Sequence, residues 1–198
     1  MKRLILVLLI ILTADNSPSA EGPCVIPGRG YFRIHVGTGG MFGAFAHDHL
    51  IEAQKMEGCA TIDPGGFAHS SIKLVFATAD LRVMDPKESA KNRADVQKTM
   101  ESDVLKVSEF PRITFESTSI ENSTGTNQVR VHGNLTIRGK TVPVVIPVEF
   151  TRQEGGTYRA AGKDNFKQTS FGIKPIQLGA GTVKVKDELQ TEFELFLK

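Results

Sequence analysis

The 198-residue chain has no Trp, only two Cys and two Tyr, and no long hydrophobic run. Each absence excludes something. Without Trp, nothing as large as an indole is available to plug an interior, although 12 Phe are present. The one unbroken apolar run, Leu4 to Leu12, is nine residues long, against roughly 20 for a helix that spans a bilayer. No block of Lys or Arg occurs, so the sequence carries no electrostatic footprint for nucleic acid. There is no Gly-x-Ser-x-Gly elbow and no evident Cys-His pair for nucleophilic catalysis. The glycines from Gly37 to Gly43 follow no βα pattern and read as a hairpin turn rather than a phosphate cradle. These gaps point away from an enzyme.

The start of the chain has the form of a leader. Lys2 and Arg3 precede the apolar run, and small and polar residues follow it from Thr13 to Ala20. This is the pattern of a secretory signal cleaved near Ser19 or Ala20, with a retained N-terminal anchor as the alternative. Glu21-Gly22-Pro23 before Cys24 lacks the aliphatic residue of a lipobox. Residues 1–20 are therefore expected to be a signal peptide, 21–30 an N-terminal segment and 31–198 a single domain in a periplasmic or secreted protein. Loss of Lys2, Arg3 and Asp15 leaves 22 basic against 21 acidic side chains, a nearly neutral mature protein. In an oxidising compartment Cys24 and Cys59 can form a disulfide; two separate thiols are the alternative.

From Tyr31 onward short alternating runs recur between Gly, Asn and Pro turns, the pattern of an all-β sandwich or barrel. Expected strands cover Tyr31 to Val36, Met41 to His47, Gln54 to Ile62, Ser71 to Leu81, Ile113 to Ile120, Thr157 to Phe166 and the closing run from Val183. In that last run Val183, Val185, Leu189, Phe193, Leu195 and Leu197 share one face, and charged or polar residues share the other. The stretch Val129 to Phe150 reads as a hairpin turning at Gly139. Its apolar side comprises Val129, Val131, Leu135 and Ile137 on one arm and Val142, Val144, Ile146, Val148 and Phe150 on the other. Pro143 and Pro147 fall on the outward parity of the second arm, which suits an edge or a partly open barrel. One segment breaks the rhythm. Asp85-Pro86-Lys87-Glu88 has the form of a capping box, and the spacing of Ala90, Ala94, Gln97, Met100 and Val104 predicts a helix from about Pro86 to about Glu101.

Three stretches together resemble the YceI-like family of lipid-binding proteins. They are Arg93 to Ser117 with its Phe-Pro pair, the hairpin from Val131 to Val148 with Leu-Thr-Ile-Arg-Gly, and Ser170-Phe171-Gly172-Ile173 before the final strand. The likeness covers Tyr31 to Lys198. It implies an antiparallel lipocalin-like β-barrel of about eight strands around a long isoprenoid quinone, polyprenyl or other apolar lipid, in an exported bacterial protein without catalysis or a cofactor. It also allows a homodimer and an encounter with a membrane surface. Two departures stand out. Lys167, Gln168, Thr169 and Ser170 replace the Arg and acidic residue usual before the Phe-Gly pair, and His47-Asp48-His49 forms a charged knot where the family has a Gly-rich hairpin.

An eight-stranded barrel is just wide enough to be filled by its own side chains or to hold one small ligand. A filled core would make the chain a structural or stress-response interaction module. With the resemblance, the candidate lipid-contacting residues are Phe76, Phe115, Leu135, Ile137, Val144, Ile146, Phe171 and Phe193. His47, Asp48 and His49 are candidates for a head-group contact. On a strand His47 and His49 would also face one side and could jointly hold a metal, with His35 or His132 completing the set, which is the basis of a less favoured reading as a metal-dependent enzyme. The plainest alternative for the knot is a turn in which Asp48 caps backbone groups.

Overall fold

The structure, a computed structural model, describes residues 22–39, 48–63, 65–178 and 182–198. The leader and the expected strand Met41 to His47 lie outside the described residues. Thirteen strands and one α-helix follow in order: β1 Val25–Val36, β2 Thr38–Gly39, β3 His49–Ala53, β4 Glu57–Thr61, β5 Ser71–Ala77, β6 Leu81–Val83, α1 Ala90–Thr99, β7 Arg112–Asn122, β8 Gln128–Ile137, β9 Lys140–Arg152, β10 Tyr158–Lys167, β11 Gln177–Leu178, β12 Val183–Val185 and β13 Glu188–Leu197. Ten strands make one curled antiparallel sheet in the order β4-β5-β7-β8-β9-β10-β13-β1-β3-β6, and β11, β12 and β2 form a small second sheet. The fold is a lipocalin-like barrel.

The hairpin at its centre follows the alternation of its sequence. Arg138 and Gly139 both take positive φ, 51° and 70°, the backbone of a two-residue turn whose twist matches the strands it joins. Val131 faces Ile146 across the pair, Gly133 faces Val144 and Leu135 faces Val142. Along β13, Leu189, Thr191, Phe193, Leu195 and Leu197 are all buried, while the alternate positions turn outward. There Arg159 binds Glu194 at 2.7 Å and Glu149 at 2.9 Å, and Arg33 binds Glu52 at 2.9 Å. These ion pairs thus stay on the outer wall.

Three expectations need correction. Within the expected N-terminal segment 21–30, residues 25–30 belong to the sheet, because β1 begins at Val25. A bulge between Val25 and Gly30 hides its alternation, and at Gly30 (φ 93°) a Cβ would stand 2.0 Å from the Glu194 carbonyl oxygen. The run Ser71 to Leu81 is two strands. A 3-10 turn at Thr78–Asp80 shifts the inward parity from Leu74 and Phe76 to Leu81 and Val83, which is why the run looks apolar on both sides. The helix begins later than Pro86. Ser89 is the N-cap, its Oγ accepting from the Asn92 N–H at 3.1 Å, because the Asp85 carboxylate is already engaged by the Leu50 N–H and the His49 ring, each at 2.6 Å. Past Thr99 one wide π turn, Met100–Val104, prolongs the helix and buries Met100.

Closing the sheet leaves two edges, β4 and β6, and each is covered. At one, Cys24 is disulfide-bonded to Cys59, and Pro23 accepts a hydrogen bond from the Ala60 N–H at 2.9 Å. Cys24 also exchanges backbone hydrogen bonds of 3.0 and 2.9 Å with Lys198, so residues 23–24 splice the end of β13 to β4. At the other, the Gln97 side-chain amide acts as a further strand, donating to the Leu81 carbonyl and accepting from the Val83 N–H, both at 2.9 Å. Unpaired strand edges invite association with other chains, and this pairing blunts β6. One lateral seam remains. β9 pairs with β10 only from Val148/Gly162 to Arg152/Tyr158, although β10 stays paired with β13 as far as Lys167. Pro143 and Pro147, which have no N–H to offer, lie on the unpaired stretch of β9.

The disulfide joins residues 35 apart, a loop whose closure in the unfolded chain is worth about 3–4 kcal/mol. Reduction is expected to lower the thermal midpoint by about 10 °C. Melting curves followed by circular dichroism with and without reductant check this; coincident curves would contradict the splice.

Candidate ligand chamber

The inward faces do not fill the barrel. Two adjoining chambers, of about 160 and 340 Å³, occupy its interior. The first lies toward the disulfide end, between Ala60, Val129, Val148 and Leu197. The second lies beneath the helix, bordered by Val96, Met100, Leu105, Ile173, Val185 and Leu189. They share the side chains of Ile34, Leu81, Ile113, Ile137 and Phe166, which form a waist between them. Both are lined almost wholly by apolar side chains.

Two glycines keep the first chamber open. A Cβ on Gly133 would stand 2.5 Å from the Phe115 ring and 2.7 Å from the Glu116 carbonyl oxygen. One on Gly162 would stand 2.7 Å from the Phe193 ring and 2.6 Å from the Pro147 carbonyl oxygen. Each glycine is thus a seat in the wall, against which a neighbouring phenyl ring packs. In a close-packed interior a single methyl group is enough to displace such a ring.

Seven of the eight expected wall residues, Phe76, Phe115, Leu135, Ile137, Val144, Ile146 and Phe193, border the first chamber, and Ile137 the second as well. Phe171 does not border either. It is buried behind Phe166, edge to face with ring centroids 5.7 Å apart, and so supports a wall residue rather than serving as one. Several wall residues escaped the sequence reading. Phe32 stands 4.8 Å from Phe76 and 6.0 Å from Phe193 between ring centroids; it follows from the parity of Ile34, which alternation makes available. Phe67 packs edge to face on Phe150 from the loop between β4 and β5, and no periodicity marks a loop residue.

The polar knot separates into different roles. His47 lies outside the described residues. Asp48 is exposed and accepts from the backbone N–H and the hydroxyl of Thr38, at 2.8 and 3.1 Å, as a turn cap does. His49 borders the second chamber, and its Nδ1 is 2.6 Å from the buried Asp85 carboxylate. Such a partner fixes the orientation of the imidazole ring. His35 and His132 lie beside Glu192 and Glu121, at 3.4 and 3.5 Å. Among the described residues no group of three or more His, Cys, Asp or Glu is placed to hold a metal ion.

The turn before the Phe-Gly pair is also braced from within. Gln168 is buried, its side-chain N–H donating to the Lys186 carbonyl at 2.9 Å, and Asp187 accepts from the Thr169 hydroxyl and N–H at 2.7 and 2.8 Å. These hydrogen bonds hold the Asp187 carboxyl below the usual carboxylate range. Asp164 is the opposite case. It sits on the inward parity of β10, next to Phe166, at the seam, and among the described residues is the one ionisable side chain bordering the first chamber. Burial pushes its carboxyl above the usual range, and a hydrogen bond from the Asn165 N–H only partly offsets this.

A curled antiparallel sheet around two adjoining apolar chambers defines a lipocalin-like barrel. The model of the YceI-like domain matches residues 34–197, and the chain belongs to the YceI-like family. A UPF0312 protein of Azotobacter vinelandii is 31% identical over 150 residues, covering 72% of this chain and 69% of the relative. One from Vibrio cholerae is 33% identical over 126 residues, covering 61% and 62%. Among solved structures, BcnA of Burkholderia cenocepacia superposes with a TM-score of 0.68 at 23% identity, covering 88% of this chain and 99% of that one. A polyisoprenoid binding domain from Saccharophagus degradans superposes at 0.66 with 9% identity, covering 90% and 98%. At these identities the superpositions establish the shared fold.

A carboxyl whose folded pKa is raised destabilises the fold while it is ionised, and the cost vanishes as pH falls through the folded value. Asp164→Asn is therefore expected to raise the thermal midpoint at pH 7. The gain should shrink toward zero near pH 3, where the aspartate is protonated in both states. A gain that is equal at the two pH values would show that ionisation is not the cause.

Proposed function

We propose that the protein is an exported binding protein that holds a long apolar lipid of the isoprenoid quinone or polyprenyl kind in the barrel, without chemical turnover. The observation that carries this reading is the pair of apolar chambers inside the barrel, which adjoin at the shared side chains of Ile34, Leu81, Ile113, Ile137 and Phe166. A flexible hydrocarbon chain suits it, since each CH₂ removed from water contributes about 0.8 kcal/mol without any charged partner. The printed name of the Saccharophagus domain, a polyisoprenoid binding domain, points to the same ligand class.

Export rests on the leader-like start and on the Cys24–Cys59 disulfide, a bond that persists in oxidising compartments. The absence of turnover rests on how the reactive groups are used. Both cysteines are in the disulfide, and the imidazole bordering the second chamber is paired with a carboxylate rather than with a hydroxyl or thiol. Binding without reaction is what such a lining performs.

Protein purified without detergent and extracted with organic solvent is expected to release a prenyl quinone or polyprenol, detected by mass spectrometry, at close to one molecule per chain. Leu135→Trp, which projects an indole into the first chamber, is expected to fold with an unchanged circular dichroism spectrum and to lose most of that lipid. An extract free of lipid, or a tryptophan variant that retains it fully, would sink the reading.

A further inference from the structure

The lining of the two chambers has an uneven set of charges. Among the described residues neither chamber is bordered by Lys or Arg, and the ionisable side chains that border them are Asp164, Asp95 and His49. Asp95 is outward on the helix and forms an exposed ion pair with Lys91 at 3.0 Å. His49 is held by Asp85. Asp164 is half-buried and, among the described residues, borders the first chamber with no Lys or Arg beside it on the lining. Its neighbour Lys163 has the outward parity and binds Glu192 at 3.2 Å. The hydroxyl nearest in register, that of Thr191, is spent on the backbone carbonyl of Asp164 itself at 3.0 Å. Along the facing stretch of β9 the strand offers Val144 and Ile146 to the chamber. The carboxyl therefore meets the ligand with accepting capacity left over.

Resting on the reading that the barrel holds an apolar lipid, we propose that Asp164 is a specificity-determining contact at the seam, accepting a hydrogen bond from a hydroxyl- or amine-bearing lipid and excluding phosphate-headed ones. The acceptor suits a donor in its partly desolvated setting, where a hydrogen bond involving a charged group is stronger than a neutral one. The same setting sharpens repulsion between the carboxylate and a phosphate, which would find no Lys or Arg on the lining to neutralise it. Burial raises the carboxyl's pKa, consistent with a site that lacks its partner until a donor arrives. The waist places Phe166 one inward position away, so a head group held here leaves its chain free to run into either chamber.

The test uses delipidated full-length protein and three probes of equal chain length: geranylgeraniol, geranylgeranyl monophosphate and the headless hydrocarbon phytane. Isothermal titration below the aggregation concentration of each probe gives the affinities. The wild type is expected to bind geranylgeraniol at least about tenfold tighter than the monophosphate, the scale of one hydrogen bond to a charged group. Asp164→Leu is expected to bind geranylgeraniol and phytane alike. Asp164→Asn, whose amide oxygen still accepts but carries no charge, should keep the alcohol within a few fold and narrow the gap to the monophosphate. Equal wild-type affinity for alcohol and monophosphate, or variants that leave the ratios unchanged while phytane still binds, would overturn the role of Asp164 and leave lipid binding standing. Failure of all three probes to bind the wild type would overturn lipid binding itself, and the role of Asp164 with it.

Discussion

Every part of this molecule depends on one constraint, that a sheet apolar on a single face must curl until that face is hidden. The curl turns alternate side chains of ten strands into one lumen and sends the ion pairs of Arg33 and Arg159 to the outside. It also brings two sheet edges into play, and the chain covers them by different chemistry. Residues 23–24 and the disulfide stitch β13 to β4, while Gln97 on the helix completes the hydrogen bonding of β6. A curled wall without these closures would expose both backbone donors and apolar surface.

What the curl encloses is decided by side-chain volume. With no Trp in the chain and with Gly133 and Gly162 giving the rings of Phe115 and Phe193 a place to rest, the lumen keeps unfilled space on its axis. The helix and its terminal wide turn close the opposite end with Val96, Met100 and Leu105. Between β9 and β10 the wall is not continuously paired, and both prolines of β9 and the half-buried carboxyl of Asp164 are found there. Fold and chemistry thus converge on the same gap.

Much of this was legible in the residues. Alternation in Val129 to Phe150 and in Leu189 to Leu197 is a local property, so strands, inward faces and the open side at Pro143 and Pro147 could be read directly; the expected closing run from Val183 instead divides, β12 joining the small sheet and β13 the large one. Parity failed where the backbone changed phase, at the Gly28 and Gly30 bulge and at Thr78–Asp80, because a turn of three residues reverses which side chains point inward. The helix start was misread because Asp85 is a good N-cap locally, yet it forms its hydrogen bonds with residues 35 and 36 positions away. Phe171 was misplaced for a similar reason: apolar character fixes burial, whereas bordering a space depends on which neighbour stands in front, here Phe166. Asp164 carried no signal at all, since its meaning comes from where β9 and β10 part.

The central claim is that the lumen is open and is occupied by a hydrocarbon chain. Diffraction from crystals of protein purified from its own cells without detergent tests it most directly. Continuous tubular density running through both chambers past the ring of Phe166, with Phe115 and Phe193 resting on Gly133 and Gly162, is the expected result. Density showing those two rings turned inward and closing the lumen, with nothing else inside, would contradict it.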